Sequence, residues 1–144
     1  MKALIQARMS SKRLPGKVLM DLHGKPVLQW VVERCSLARF VDEVAVVTSK
    51  DSSDDSIEAW CHSRGIFVFR GDLDDVLLRY AEAAKVLGCE NFFRITADCP
   101  LIDPIVIDAV GLGFLAGHFD YFSLTGEFPD GLANDHSLFP LKRH

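Results

Sequence analysis

Residues 3–19 read ALIQARMSSKRLPGKVL and divide into two parts of different physical character. Residues 3–6 form a short apolar run that is typical of a buried strand. A polar loop follows directly and carries four cations within ten residues: Arg8, Lys12, Arg13 and Lys17. Its serines and Gly16 offer hydroxyl and backbone N–H donors, which together with the cations suit phosphate oxygens. The stretch therefore predicts a strand that ends at an anion-binding loop.

Strand-like and helix-like segments alternate along the rest of the chain. Runs rich in Val, Ile or Phe predict strands at residues 44–48, 65–69, 91–96 and 120–124. Helical spacing after Pro, Ser or Asp predicts helices at residues 26–38, 53–64, 74–87 and 103–110, with a turn at 129–131. The third helix is expected to turn one stripe inward, made of Val76, Leu77, Tyr80, Ala84 and Leu87. This alternation predicts an α/β fold in which a mostly parallel sheet is covered by helices on both faces.

Composition narrows the class of protein. The 144 residues are 49% hydrophobic and 25% charged, which favours one folded domain over residues 1–144 and excludes global disorder. The net charge of -4 argues against general nucleic-acid binding, which normally requires a basic excess. No apolar run reaches the length of a membrane span, and Arg8 interrupts any secretory apolar region, so we expect a cytoplasmic protein.

The four cysteines, Cys35, Cys61, Cys89 and Cys99, lie far apart in the sequence and form no C-x-x-C pair. We therefore expect reduced, partly buried thiols. A metal site made from Cys61, His62 and a distant cysteine is the alternative, although structural zinc sites normally draw their ligands from close pairs.

Charge is distributed unevenly along the chain. Residues 1–40 contain eight Lys or Arg against two acidic residues, whereas residues 41–100 contain twelve acidic residues against six Lys or Arg. A basic loop facing acidic positions suits a bound polyanion with a divalent metal, although a solvated surface has the same composition. Asp98 follows a predicted central strand, where a carboxylate could hold Mg²⁺, and helix capping is the alternative for this residue. Asp103, directly before Pro104, is interpreted as a helix cap.

Two common nucleotide-binding patterns are missing. The basic loop lacks the G-x-x-x-x-G-K-[ST] spacing of a P-loop, and the chain has no dinucleotide fingerprint after a strand. Gly111, Gly113 and Gly117 follow a helical stretch instead, so we interpret them as a helix end.

Three segments together resemble the spore coat polysaccharide biosynthesis proteins of the acylneuraminate and Kdo cytidylyltransferase superfamily. They are residues 6–26, residues 71–80 (GDLDDVLLRY) and residues 96–104 (TADCPLIDP), which occur in the expected order. The resemblance extends to about Leu132 and implies a nucleotide-diphospho-sugar transferase fold, similar to glycosyltransferase A, that is shortened at the C-terminus. It also implies transfer of CMP from CTP to a sugar hydroxyl, with release of pyrophosphate, for surface or spore-coat polysaccharide synthesis.

The resemblance also implies roles for individual residues. Arg8, Lys17 and Asp98 are the expected catalytic residues: the two cations bind the triphosphate and Asp98 binds Mg²⁺. The nucleotide-binding set comprises these two cations with Ser10, Ser11, Arg13, Gly71, Asp72, Asp75, Thr96 and Ala97. A capped helix explains the Asp-rich segment around Asp72 and Asp75 equally well.

Relatives are longer, and their later half contributes a second metal-binding aspartate, much of the acceptor pocket and a dimer interface. Residues 128–132 resemble a further element of the family, after which Asp135 and His136 are weak candidates for a metal or acid–base role. Two alternatives therefore stay open beside the cytidylyltransferase: a non-catalytic nucleotide-binding or partner protein, and a transferase of the same fold that uses another nucleotide. CTP and a small sugar are the expected partners, and homodimer formation is left open.

Overall fold

The computed structural model describes residues 1–122, in which strands and helices alternate as the sequence predicts. The strands are β1 (Lys2–Gln6), β2 (Asp21–Leu22), β3 (Lys25–Pro26), β4 (Glu43–Ser49), β5 (Phe67–Gly71) and β6 (Phe92–Thr96). The α-helices are α1 (Val27–Ser36), α2 (Asp55–His62), α3 (Val76–Leu87) and α4 (Pro104–Leu115). Short 3-10 helices cover Lys17–Leu19 and Ser52–Asp54.

Four strands form one parallel sheet in the order β5-β4-β1-β6. Ile5 in the central strand β1 lies opposite Val46 of β4 and Ile95 of β6. The chain moves from β1 to β4 and β5 on one side and then returns to place β6 on the other side of β1. Sheets of this kind bind ligands beyond the carboxyl ends of the strands, where the strand order reverses. Here that point lies between β1 and β6.

Alternation along β1 explains why both faces of the sheet are covered. Ala3 and Ile5 pack into the larger core with α1, α2 and α4, whereas Leu4 packs on the opposite face with Tyr80 and Ala83 of α3. Full burial of a Leu or Ile side chain contributes about 1.5–3 kcal/mol to the stability of the fold, so packing a helix on each face of the sheet is favourable. The predicted three-layer α/β architecture is confirmed.

Two helices differ from the sequence-based expectations. In α3 the buried residues are Arg79, Tyr80 and Ala83, whereas Leu77, predicted to face inward, is 82% exposed. Gly111 and Gly113 lie inside α4, which continues to Leu115, so they do not mark a helix end. A Cβ at Gly111 would lie 3.0 Å from ring atoms of Phe40 and Phe93, so a glycine there lets the helix pack closely.

A short antiparallel pair, β2 and β3, also went unpredicted. Its connecting residues His23 and Gly24 both have positive φ, as a tight two-residue hairpin turn requires. Residues 120–122 are not in a strand, and the remainder of the strand predicted at 120–124 lies outside the described residues, as does the turn at 129–131. No helix within residues 1–122 is long and apolar enough to cross a membrane.

Candidate functional site

A cleft of about 200 Å³ opens beyond the carboxyl ends of β1 and β6, where the strand order reverses. Three segments meet there: the end of β1 with the basic loop, the 3-10 turn after the loop, and the residues that follow β6. The lining residues are Gln6, Arg8, Ser11, Lys17, Val18, Thr96, Ala97 and Asp98. The structure thus brings the basic loop and the Asp98 segment to one site.

The backbone of Met9 gives the basic loop its shape. Its carbonyl oxygen accepts hydrogen bonds from the N–H groups of Ser11 and Gly16, both at 2.9 Å, which folds the loop back on itself. Gly16 has φ of 74°, a left-handed conformation that a side chain would strain. The chain then enters the turn Lys17–Leu19, where buried Val18 anchors the backbone and Lys17 faces the cleft.

Lys17 and Asp98 face each other across the cleft. The Lys17 ammonium forms an ion pair and hydrogen bond with Oδ2 of Asp98. Partial burial disfavours the charged form of Asp98, but the hydrogen bonds and charge supplied by Lys17, with the Thr96 hydroxyl, outweigh it. The pKa of the Asp98 carboxyl therefore lies below its ordinary value, and this residue is an anion at neutral pH.

The remaining loop residues differ in their placement. Arg8 is exposed and half-buried Ser11 lies beside it in the cleft wall. Ser10 and Arg13 are exposed and do not line the cleft. Within residues 1–122 neither Arg8 nor Arg13 forms an ion pair, so both guanidinium groups face solvent without a carboxylate partner. Arg8 and Lys17 outnumber Asp98 among the charged residues that line the cleft, so the lining carries a net positive charge.

The turn between β5 and α3 holds Gly71, Asp72 and Asp75 outside the lining of the cleft. Oδ1 of Asp72 accepts hydrogen bonds from the N–H groups of Asp74 and Asp75, both at 2.8 Å, and these bonds lower the pKa of Asp72. Asp75 is the N-cap of α3 and accepts from Leu78 N–H at 2.8 Å. Both carboxylates are thus engaged by backbone groups, as the capping interpretation of this segment predicts.

Sequence reasoning missed Arg79, which lies beneath this turn. Its side chain is fully buried, and a Cβ at Gly71 would lie only 2.7 Å from Cγ of Arg79. One guanidinium nitrogen donates to Leu73 O at 3.0 Å, but Nε and Nη1 have no hydrogen-bond partner within residues 1–122. Burial lowers the pKa of Arg79, which also interacts electrostatically with Arg8 and Asp72. No periodic signal distinguished this arginine from the exposed charged residues of a helix.

The four cysteines and the cap residue Asp103 are placed as the sequence predicts. All four cysteines are free, and burial raises the pKa of both Cys35 and Cys61 to about 12. Cys61 lies in the core whereas His62 is exposed, so the two do not face a common site. Asp103 accepts from Ile105 N–H at 2.9 Å and caps α4, as predicted. Asp135 and His136 lie outside the described residues.

Among residues 1–122 no group of three or more His, Cys, Asp or Glu side chains could enclose a metal ion. Asp98 is the carboxylate that lines the cleft. Magnesium is commonly held by one or two carboxylates while substrate phosphates and waters complete its coordination. The donor set of the cleft therefore fits a metal that arrives with a phosphorylated ligand.

The chain is similar to proteins of one known family. The family model described as cytidylyltransferase matches residues 2–127. The chain is 36% identical over 121 residues to the spore coat polysaccharide biosynthesis protein SpsF of Bacillus subtilis, covering 81% of this chain and 49% of that protein.

Two solved structures share the fold. A cytidylyltransferase from Leptospira borgpetersenii matches with a TM-score of 0.75 and 38% identity, over 80% of this chain and 48% of that one. A CMP:2-keto-3-deoxy-manno-octonic acid synthetase complexed with CTP matches with a TM-score of 0.68 and 28% identity, over 80% and 47% of the two chains. The chain thus spans about half the length of these relatives.

Proposed function

Because this chain belongs to the cytidylyltransferase family, we propose that it takes part in the transfer of CMP from CTP to an acidic sugar. In this reaction the oxygen of a sugar hydroxyl forms a bond to the α-phosphorus of CTP. The bond from that phosphorus to the bridging oxygen of the β-phosphate breaks, pyrophosphate leaves, and the hydroxyl proton is released. By similarity to SpsF, the proposed setting is surface or spore-coat polysaccharide synthesis. The cytoplasm is proposed as its location from the sequence alone.

One observation carries the proposal: Lys17 and Asp98 face each other in a cleft where Arg8 is also exposed. Phosphoryl chemistry depends on positioning and on neutralising charge, and needs no nucleophile from the protein. In our proposal Arg8 and Lys17 bind triphosphate oxygens, while Ser10, Ser11 and Arg13 shape the loop around them. Thr96 and Ala97 form the opposite wall, and Gly71, Asp72 and Asp75 border the nucleotide.

We assign Mg²⁺ to Asp98, whose carboxylate is ionised at neutral pH and faces the cleft. When bound, Mg²⁺ stabilises the charge that develops on the phosphate oxygens. Asp98 already pairs with Lys17, so ligand binding involves an exchange of partners. The Lys17 ammonium moves from the carboxylate to a phosphate oxygen, which keeps both groups paired.

A second candidate is nucleotide binding without transfer. The observation that favours it is the lining of the cleft, in which residues 1–122 place a single carboxylate, Asp98. Homodimer formation, left open by the sequence, is a third property to be tested alongside.

Calorimetric titration of the purified protein with CTP, UTP, ATP and GTP, each with and without Mg²⁺, tests the proposal. We expect binding selective for CTP and dependent on Mg²⁺, followed by pyrophosphate release when 2-keto-3-deoxy-manno-octonic acid, the sugar acid in the name of the CTP-bound relative, is added. Selective binding without pyrophosphate release favours the second candidate. Preference for another nucleotide indicates a transferase of different specificity, and a folded protein that binds none of the four contradicts both candidates.

A further inference from the structure

Asp54 is a fully buried carboxylate to which the proposed reaction gives no role. It lies in the short segment between β4 and α2, directly before the first residue of that helix. Carboxylates are rarely fully buried, because the loss of hydration must be compensated by hydrogen bonds or by charge. The partners of Asp54 therefore indicate what this carboxylate does.

Both oxygens of Asp54 are engaged, by two different parts of the molecule. Oδ1 accepts a hydrogen bond of 2.7 Å from the N–H group of Met9 in the basic loop. Oδ2 accepts from the N–H group of Ser49 at 3.1 Å, and from the Ser49 hydroxyl, at the end of β4. The side chain thus joins the basic loop to the central sheet.

Helix capping does not explain this arrangement. Asp54 occupies the N-cap position of α2, where an aspartate normally accepts a hydrogen bond from the first turn of the helix. Its side chain makes no such bond. Both oxygens turn toward Met9 and Ser49 instead, so the carboxylate is committed to the loop and the strand.

The backbone of Met9 connects Asp54 to the part of the loop that lines the cleft. While its N–H group donates to Asp54, its carbonyl oxygen accepts from Ser11 N–H and Gly16 N–H. Gly16 directly precedes Lys17, which faces Asp98. The buried carboxylate of Asp54 therefore fixes the backbone of Met9, to which Ser11 and Gly16 are both hydrogen-bonded.

We propose that Asp54 is a positioning residue that holds the basic loop in the geometry required to bind a nucleoside triphosphate. The inference rests on the proposed function for its ligand, but the contact itself is independent of it. Displacement of Met9 shifts Arg8 on one side and, through Gly16, Lys17 on the other. Charged groups that bind phosphate lose much of their effect when they are displaced by about 1 Å.

Asp54→Asn tests the proposal, with Asp51→Asn as its matched control. An asparagine at position 54 keeps one acceptor oxygen, which can serve Met9 or Ser49 but not both, so one of the two anchors is lost. Asp51 lies in the same segment, and within residues 1–122 its side chain accepts a hydrogen bond from Ser53 N–H and forms none with the basic loop. Two readouts apply to the full chain: hydrogen exchange at the Met9 and Gly16 amides, and the Kd for CTP with Mg²⁺.

We expect both amides to exchange at least tenfold faster in Asp54→Asn, and the Kd for CTP to rise about tenfold. In Asp51→Asn both quantities should stay within twofold of wild type. If Asp54→Asn lowers only the melting temperature and changes neither exchange nor Kd, Asp54 is a stability residue and the proposal is wrong.

Two further cases distinguish failure of the proposed function, or of folding, from failure of the Asp54 proposal. If the wild-type protein binds no nucleotide, the proposed function fails, whereas amide exchange still shows whether Asp54 holds the loop. If Asp54→Asn does not fold, Ser49→Ala replaces it, because this variant removes the hydroxyl that donates to Oδ2. Faster exchange at Met9 in Ser49→Ala supports the proposal, and unchanged exchange contradicts it.

Discussion

Lys17 and Asp98 are 81 residues apart in the sequence, and they form an ion pair within the lining of the cleft. Their side chains are 31% and 38% exposed, so solvent weakens the attraction. Ion pairs of this kind contribute about 0–1 kcal/mol to folding. The pair therefore has little structural value, which leaves both groups free to serve a ligand.

We expect Lys17→Ala and Asp98→Ala each to weaken binding of CTP with Mg²⁺ at least tenfold, about 1.4 kcal/mol. The free energy of unfolding should change by less than about 1 kcal/mol, because the ion pair is solvated. Isothermal titration and urea unfolding measure the two quantities.

Lys2 and Glu43 supply a matched control, since this ion pair joins the amino-terminal ends of the parallel strands β1 and β4, at the edge of the sheet away from the cleft. Lys2→Ala should leave the Kd for CTP unchanged. Equal losses of affinity in Lys2→Ala and Lys17→Ala would show that net charge matters and that the cleft does not.

Individual residues also show where sequence reasoning ends. The basic loop and Asp98 could be predicted to meet, because both follow parallel strands whose carboxyl ends share one edge. Asp54 could not be distinguished from an ordinary helix cap, because its partner Met9 is 45 residues away and depends on how β4 and α2 pack beside β1. Arg79 is equally hidden, because a charged residue on a helix is normally assigned to the solvent side.

Among the elements, the start of α3 separates two interpretations of the Asp-rich turn. Asp75 was predicted to bind the nucleotide, yet its side chain caps the helix. Asparagine is about as good an N-cap as aspartate, whereas alanine loses about 1 kcal/mol. The variants Asp75→Asn and Asp75→Ala therefore distinguish a role of Asp75 as a helix cap from a role of its charge in ligand binding.

We expect Asp75→Asn to unfold at the same urea concentration as wild type, and Asp75→Ala to lose about 1 kcal/mol of stability. If Asp75 acts only as a cap, the Kd for CTP stays unchanged in Asp75→Asn. A weaker Kd with unchanged stability in Asp75→Asn would instead indicate that its charge or an oxygen contacts the ligand. Circular dichroism with urea and isothermal titration provide both measurements.

Long elements were predicted better than short ones. The strands of the sheet and the four α-helices have enough residues for apolar periodicity to be visible. Strands β2 and β3 have two residues each, too few for any pattern. In α4 the glycines at 111 and 113 favoured an early end to the helix, but close packing against Phe40 and Phe93 accommodates Gly111 inside it.

At the scale of the molecule, a chain with net charge -4 still presents a cationic cleft. The parallel topology explains how, because β1 delivers the basic loop to the carboxyl edge of the sheet while acidic residues serve other purposes. Asp51, Asp72, Asp75 and Asp103 accept hydrogen bonds from nearby backbone N–H groups. Much of the acidic composition is thus used in turns and caps, which is why the charge asymmetry alone could not locate the site.

The distribution of shifted pKa values predicts how stability depends on pH. The pKa values of Glu33, Asp51, Asp72 and Asp98 are lowered by folding, so the stability that these groups contribute is present above about pH 4 and is lost below it. Burial raises the pKa values of Cys35, Cys61 and Tyr80 to about 12. The stability that these buried neutral groups contribute is complete below about pH 8.5, where the thiols of an unfolded chain begin to ionise. It decreases as the pH rises toward about 12.

We therefore expect a stability plateau between about pH 5 and 8, measured by urea unfolding at fixed ionic strength. Above pH 8.5 each buried thiol should remove about 1.4 kcal/mol per pH unit, because the unfolded state ionises and the folded state does not. Cys61→Ala eliminates one of these thiols, so above about pH 8.5 its free energy of unfolding should fall less steeply with pH, by that amount per unit. The cavity that the variant leaves lowers its stability at every pH. Identical alkaline slopes in Cys61→Ala and wild type would show that Cys61 ionises as readily in the folded core as in the unfolded chain.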